Sequence, residues 1–199
     1  MVTRMNLLAS TLRGTSGPST KRISGFTLIE TLTVITIVAI LLTVGMPMFT
    51  YVSNANRISS EVNGLLGDML YARSEAIKEG QTVSVCSSAN PSAAAPTCSG
   101  STAWQSGWIV FSDVNGNGAV GAGDTILRIQ RPFSASDTFN ANNAMSVVTF
   151  NREGFALGLA NSILVSLHAV VPNASTTRCL AISIVGQLKT LGAGTGGCA

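Results

Sequence analysis

An acidic side chain lies inside a stretch of the sequence that is long and apolar enough to cross a membrane. Glu30 is the fifth residue of the run from Phe26 to Met46, which spans about 31 Å as a helix at roughly 1.5 Å per residue. A carboxylate in the middle of such a segment costs roughly 2.5–3.5 kcal/mol, and less near its end. Glu30 therefore indicates either a functional group with a partner of opposite charge or a residue that stays hydrated at the interface.

The residues just before Glu30 distinguish this run from an ordinary secretory signal. A small residue, Gly25, precedes the apolar run, whereas a secretory signal places its small-residue cleavage site after a shorter apolar region. Residues 25–30 read Gly-Phe-Thr-Leu-Ile-Glu, which resembles the leader junction of type IV prepilins. The resemblance implies that a prepilin peptidase cuts between Gly25 and Phe26 and that the new Phe26 amine is N-methylated. It also implies that Glu30 faces the amine of a neighbouring subunit during assembly.

The formal net charge of +3 comes from the first 25 residues, which carry four of the twelve basic side chains and no acidic one. The rest of the chain has eight basic and nine acidic side chains, so global charge gives no support for nucleic-acid binding. Positively charged flanks of an apolar helix stay in the cytoplasm. We therefore expect a single-pass protein with a cytoplasmic N-terminus and an exported C-terminal domain. The resemblance to prepilins implies that the membrane is a bacterial inner membrane and that the domain lies in the periplasm.

Four cysteines, Cys86, Cys98, Cys179 and Cys198, all follow the apolar run. An even number in an oxidising compartment predicts two disulfides, for which three pairings are open. We favour Cys86 with Cys98, which would pin a Ser/Ala/Pro loop, and Cys179 with Cys198, which would anchor a glycine-rich tail. Zinc is disfavoured because no two cysteines have metal-ligand spacing and the chain has one histidine.

A second group of polar residues has the spacing of a calcium loop. Asp113, Asn115, Asn117 and Asp124 occupy positions one, three, five and twelve of the pattern, with Gly118 at position six. Asp124 is shorter than the usual glutamate, and the flanking residues favour strands over helices. Asn and Gly are also typical of ordinary hairpin turns. We therefore favour a turn and expect no cofactor, with calcium as the alternative.

The elements that position these residues give an α+β fold with one long helix. We predict a leader at 1–25, a transmembrane half of the helix at 26–49, an amphipathic half at 50–80 and a β-rich domain at 81–199. Pro47 removes a backbone donor, so we expect a kink there. The helix would pack on a mostly antiparallel sheet, or two packed sheets. The predicted strands are 82–86, 104–111, 125–129, 146–150, 155–159, 163–171 and 179–185.

Two internal segments narrow the resemblance to the GspH/FimT family of pilin-like proteins. Residues 72–76 read Ala-Arg-Ser-Glu-Ala, and residues 107–111 read Gly-Trp-Ile-Val-Phe ahead of an Asp/Asn/Gly loop. The resemblance implies a minor pseudopilin of a type II secretion system or, alternatively, a minor pilin of a type IV pilus. The implied partners are other pilins, contacted through the N-terminal helix, the prepilin peptidase and the inner-membrane assembly platform.

Two further functions are disfavoured by the residues themselves. In DNA-binding relatives the resemblance calls for Gly-Arg-x-Arg near the C-terminus, but residues 186–189 read Gly-Gln-Leu-Lys. Arg178 and Lys189 then remain as weak DNA-binding candidates, since lysine does not replace the arginine fork on phosphate. His168 lies in an apolar segment without a nucleophile motif beside it. We therefore expect neither nucleic-acid binding nor an enzyme.

Overall fold

The computed structural model describes residues 25–133, 137–159, 163–168 and 176–198. The predicted leader up to residue 24 and the predicted strand end at 169–171 lie outside the described residues. Residues up to Gly45 and residues from Met46 onward form two separate compact units. The predicted segment limits, including the boundary at 49/50 within the helix, stay predictions.

One helix, α1, runs from Leu28 to Glu79. The residue that follows the helix, Gly80, has a φ of 70° and donates its backbone N–H to the Ala76 carbonyl at 3.0 Å. A residue without a Cβ enters this left-handed conformation at low cost, which explains the stop. Pro47 lies within the bounds of α1, and its predicted kink stays a prediction.

The β-strands form two antiparallel sheets. A five-stranded sheet has the order β3-β2-β1-β5-β6, and a four-stranded sheet has the order β4-β7-β8-β9. Every strand pair in the described residues is antiparallel, in agreement with the predicted fold class. The strands are β1 Val83–Ser87, β2 Trp108–Ser112, β3 Thr125–Gln130, β4 Thr138–Ala141, β5 Val147–Phe150, β6 Ala156–Leu157, β7 Ile163–His168, β8 Arg178–Ile182 and β9 Leu188–Gly192.

Both sheets pack against the C-terminal half of α1. Side chains at three- and four-residue steps of the helix, from Ile58 through Leu65 and Met69 to Ala76, are fully buried with residues of both sheets in one cluster. This confirms the predicted amphipathic stripe. Leu70 and Ile77 lie outside the buried stripe, since they are 47% and 52% exposed. Each follows a buried residue by one position, which turns its side chain about 100° away from the sheets.

The structure corrects three of the predicted strands and adds two. Residues 104–106 form a 3₁₀ turn, which buries Trp104 and lets its indole N–H donate to the Met145 carbonyl at 3.1 Å. The strand predicted at 155–159 contains only two strand residues, and the one predicted at 179–185 ends at Ile182. The strand predicted at 163–171 is described as far as His168. β4 and β9 were not predicted, because both depend on pairing with distant residues.

Candidate functional site

The predicted cleavage region lies directly before the first turn of α1. Gly25, Phe26 and Thr27 precede the helix, and Phe26 is 79% exposed. Thr27 caps the helix, because its side-chain oxygen accepts from the Glu30 backbone N–H at 3.3 Å and its carbonyl accepts from the Thr31 N–H at 3.1 Å. Glu30 thus occupies the third helical position, where a negative charge favours the helix dipole. The sequence Thr-x-x-Glu is a capping signal that the sequence reasoning missed.

The first half of α1 leaves Glu30 as the one charged side chain on an apolar surface. Between Phe26 and Asn56 the sequence contains no other acidic or basic residue. The threonine hydroxyls in this stretch are satisfied within the helix, as Thr33 and Thr36 show by donating to the Glu30 and Leu32 carbonyls at 2.8 Å. Among the described residues, α1 is the helix whose length and composition suffice to cross a membrane. Glu30 is therefore the one charged side chain on this surface, and its role in assembly stays a prediction.

The Ala-Arg-Ser-Glu-Ala segment contains a residue that joins the helix to two turns. Arg73 donates through Nε to the Gly154 carbonyl at 2.9 Å and through a terminal nitrogen to the Val185 carbonyl at 3.5 Å. These carbonyls belong to the turns that follow β5 and β8. Gly186, at a φ of 72°, fits beside this contact because a Cβ there would lie 2.1 Å from the Gly154 oxygen. The resemblance identified this segment from its sequence, but the contacts of Arg73 with the two turns are visible only in the folded structure.

Asp68 forms a second polar connection between α1 and the five-stranded sheet. Its two oxygens accept from the Trp108 indole N–H at 2.9 Å and from Arg128 at 3.1 Å. The Arg128 guanidinium also lies 3.7 Å from the centre of the Tyr71 ring, which is a favourable cation–π distance. These contacts hold the fully buried Trp108 side chain in a fixed position between α1 and the sheet.

The structure contains the disulfide pairing that the sequence favours. Cys86 is bonded to Cys98, and Cys179 is bonded to Cys198. The first bond fixes the loop after β1, and the second holds the end of the chain against β8. Part of the predicted glycine-rich tail forms β9, since Leu191 pairs with Cys179 in the sheet.

In the predicted calcium loop, each candidate oxygen group accepts hydrogen bonds from the loop itself. Asp113 is fully buried and accepts from the backbone N–H of Asn117 and Gly118 at 3.1 and 2.8 Å. Asp124 accepts from the N–H groups of Val114 and Gly121. The side chains of Asn115 and Asn117 accept from the N–H groups two residues further on. No cluster of acidic, His or Cys residues suited to a metal occurs in the described ranges. The preference for a turn over calcium stays a prediction.

The weak DNA-binding candidates do not share a face of the sheet. On β8 and β9, Arg178 pairs with Gly192 and Lys189 pairs with Ala181. Successive residues of a strand point to opposite faces, so Lys189 shares the face of Cys179 whereas Arg178 shares the face of Leu180. These two cations therefore do not combine into one phosphate-binding patch. His168 is the last residue of β7.

The ion pair of Arg57 with Asp137 and the burial of Glu61 were not predicted from the sequence. Arg57 donates to both oxygens of the fully buried Asp137 side chain at 2.7 and 2.9 Å, and this contact raises the pKa of Arg57. Glu61 lies one helical turn after Arg57. Burial, together with the charge of Asp137, raises the pKa of Glu61 to about 7, although Arg57 acts in the opposite direction. Arg57 and Glu61 are four positions apart on a helix, which predicts an exposed ion pair between them. The sequence therefore contains no sign that Glu61 is buried.

Comparison with known proteins identifies the family. The family model described as type II transport protein GspH matches residues 61–186, which is more than half of the chain. The chain belongs to the GspH family. The model of the prokaryotic N-terminal methylation motif matches residues 20–46 of this GspH-family chain, the segment that contains Gly25, Phe26 and Glu30. These matches establish a minor pilin or pseudopilin of the type IV pilin class, a structural subunit with an apolar N-terminal anchor.

A solved structure gives the same fold for the GspH-family chain. The crystal structure of the type IV minor pilin FimU from Pseudomonas aeruginosa strain PAO1 has a TM-score of 0.54 at 19% sequence identity, and the alignment covers 73% of this chain and 93% of FimU. A second crystal form of FimU has a TM-score of 0.49 at 18% identity, covering 69% and 93%. A search of curated proteins gives no significant match. The likeness to FimU shows the fold alone.

Proposed function

We propose that this chain is a minor pseudopilin, a structural subunit that helps to start or cap the pseudopilus of a type II secretion system. The observation that supports secretion is the match to the type II transport protein GspH. In this proposal the chain is inserted in the inner membrane with its C-terminal domain in the periplasm. A prepilin peptidase removes residues 1–25, the Phe26 amine is N-methylated, and the assembly platform moves the subunit into the fibre.

In this proposal the carboxylate of Glu30 pairs with the Phe26 amine of a neighbouring subunit during fibre assembly. Cleavage after Gly25 leaves a positive amine on Phe26, and Glu30 is the one charged side chain on the exposed apolar surface beyond it. When the helices of two subunits meet in a low-dielectric setting, opposite charges attract far more strongly than in water, although desolvation consumes much of the gain. A neighbour that lacks either charge leaves the other one unpaired, so the penalty falls on the assembled state.

The variant Glu30→Val tests this assignment, with Thr36→Val as the matched control. Thr36 lies on the same helix, and its hydroxyl donates only to a carbonyl of its own helix in the structure. We expect both variants to be inserted and cleaved normally, since Glu30→Val removes a charge from lipid. Only Glu30→Val should lose cysteine crosslinking to neighbouring subunits and fibre formation. Normal crosslinking in Glu30→Val would show that the carboxylate is merely tolerated.

A minor pilin of a type IV pilus is the second candidate, and the fold likeness to the type IV minor pilin FimU favours it. Deletion of the gene separates the two functions. Loss of extracellular enzyme secretion with normal pilus-driven movement supports the pseudopilin, and the opposite result supports the pilin. A DNA-uptake specialist would bind duplex DNA tightly at about 50 mM salt, with binding lost in Lys189→Ala; we expect weak binding or none.

A further inference from the structure

A groove of about 490 Å³ lies between α1 and the edge of the five-stranded sheet. We call it the α1–β3 groove. Its walls include Ser60, Glu61 and Gly64 of α1, Trp108 of β2, Gln130 of β3 and Phe133 just beyond β3. Gly64 presents no side chain to the opening, and a Cβ built there would meet no atom within 4 Å. The groove is therefore open on the helix side.

The groove contains an acceptor that the domain itself leaves unused. Among the described residues no donor bonds to the buried Oε2 of Glu61, although a buried polar atom of this kind is normally paired. Arg57 does not satisfy it, because the guanidinium of Arg57 is directed to both oxygens of Asp137. Arg57 and Asp137 cancel each other in charge, so the ionised groove carries one negative charge, on Glu61.

The other walls suit the stem and head of a long cationic side chain. The rings of Trp108 and Phe133 lie edge to face, with their centroids 5.9 Å apart. Trp108 is fully buried, so the partly exposed Phe133 ring is the one of the two that can attract an ammonium or guanidinium group and cover the alkyl stem that carries it. A neutral apolar group would leave Glu61 unpaired, and an anion would be repelled by its carboxylate.

We propose that the α1–β3 groove receives a lysine or arginine side chain from an adjacent pilin subunit and that Glu61 accepts its hydrogen bond. This inference rests on the proposed function for the source of the side chain. Ser60 and Gly64 belong to the same helix as Glu30, so a subunit that packs along α1 in a fibre brings foreign side chains to these positions. The groove thus adds a specific polar contact to the apolar packing of the helices.

Fluorine NMR on the full chain in detergent micelles tests the cation recognition. The chain has two tryptophans, and both are fully buried. Labelling with 5-fluorotryptophan gives one signal from Trp108, which lines the groove, and one internal control from Trp104, which does not. We expect n-butylguanidinium and n-butylammonium to shift the Trp108 signal saturably and to leave the Trp104 signal in place. The neutral probe n-pentanol should have little effect. Equal binding of n-pentanol would show an apolar groove and overturn the proposal.

Variants on α1 identify the groove as the binding site. Glu61→Gln should weaken n-butylguanidinium binding by at least about tenfold, because a charged acceptor is lost. Gly64→Leu should block the groove, whereas Gly67→Leu is the matched control. Gly67 is exposed, has no atom within 4 Å of a built Cβ, and does not line the groove. Unchanged binding in Glu61→Gln, or equal loss in both leucine variants, would refute the site.

The affinity should also depend on pH in one direction. The carboxylate is the form that binds a cation, and its share rises as pH passes the pKa of about 7. Arg57 on α1 and Asp137 ahead of β4 are the charged groups that act on Glu61, while Trp108 and Gln130 on the sheet side do not titrate. Binding of n-butylguanidinium should therefore strengthen from pH 6 to pH 8 and then level off. A constant affinity over this range would contradict the role of Glu61.

A photo-crosslinking amino acid at Ser60 tests the source of the side chain in living cells. Asn63 is the control position, because it is exposed on α1 but does not line the groove. We expect the Ser60 position to capture a pilin-class subunit, with the product lost in Glu61→Gln. A product that is not a pilin, or none, would overturn the proposed partner. The Glu30→Val assay reads fibre assembly independently, so a failure of the groove and a failure of the proposed function remain distinguishable.

Discussion

Replacing Glu61 by Gln measures how much folding free energy the domain loses by keeping this carboxyl in the α1–β3 groove. The pKa of Glu61 is about 7 in the folded chain, against 4.5 for a free glutamate, and burial is the main cause. Glutamine has nearly the same shape, but it cannot ionise. The substitution therefore removes the titration with little change in packing.

The sign follows from the two protonation equilibria. Between pH 4.5 and about 7 the unfolded chain releases the Glu61 proton while the folded chain still holds it. The free energy of unfolding therefore falls as pH rises through this range, and the loss is complete above about pH 8. A shift of this size corresponds to about 3 kcal/mol at roughly 1.4 kcal/mol per pKa unit. Because the residue is partly open to solvent, we discount this to about 1–2 kcal/mol.

Urea unfolding of the full chain in detergent micelles, followed by tryptophan fluorescence, measures the effect at pH 5 and pH 8. We expect Glu61→Gln to be more stable than the original chain by about 1–2 kcal/mol at pH 8, and by only a few tenths at pH 5. Glu79→Gln is the control, because Glu79 is exposed near the end of the same helix. A gain at pH 8 no larger than the gain at pH 5 would refute the assignment of a raised pKa to Glu61.

Three further predictions concern processing, the tail and the turn contact. In Gly25→Val the side chain obstructs the scissile bond, so co-expression with a prepilin peptidase should leave the full-length band on a gel; normal shortening would contradict this. Cys198→Ser opens a loop of about 20 residues and should lower the free energy of unfolding by roughly 3 kcal/mol in urea titrations. An unchanged free energy of unfolding would contradict the stabilising role of this disulfide. Gly186→Ala places a Cβ against the Gly154 carbonyl at 2.1 Å and should cost well over 1 kcal/mol, more than Gly158→Ala, where φ is also positive but the space is open.

The fold was predictable from the sequence where the signal is local. The buried stripe of α1 repeats at helical spacing, and most strands alternate or form compact apolar runs, so element types followed directly. β4 and β9 escaped prediction because their residues gain strand structure from partners that lie far away in the chain. Leu191, for example, pairs with Cys179 only because the disulfide and the sheet bring the tail back.

The same distinction separates the predictable site residues from the others. Gly25, Phe26 and Glu30 form a contiguous motif, so their interpretation needed no tertiary information. Arg73 acts through carbonyls that are 81 and 112 positions away, and a sequence shows no such pairing. Glu61 becomes unusual only after Asp137, 80 positions after Arg57, has engaged that arginine.

The two glycines in the amphipathic half of α1 show how the groove changes the interpretation of a local signal. Gly64 and Gly67 each weaken a helix by roughly 1 kcal/mol relative to alanine, which by itself favours a flexible or closely packed turn. Close packing within the domain is excluded for both, since a built Cβ meets no atom within 4 Å at either position. At Gly64 the missing side chain keeps the α1–β3 groove open. The glycine therefore lowers the stability of the helix in the isolated domain but leaves room for a bound partner. Nothing in the structure explains Gly67. Because Gly67 does not line the groove, Gly67→Leu changes helix stability alone, and its comparison with Gly64→Leu isolates the effect on binding.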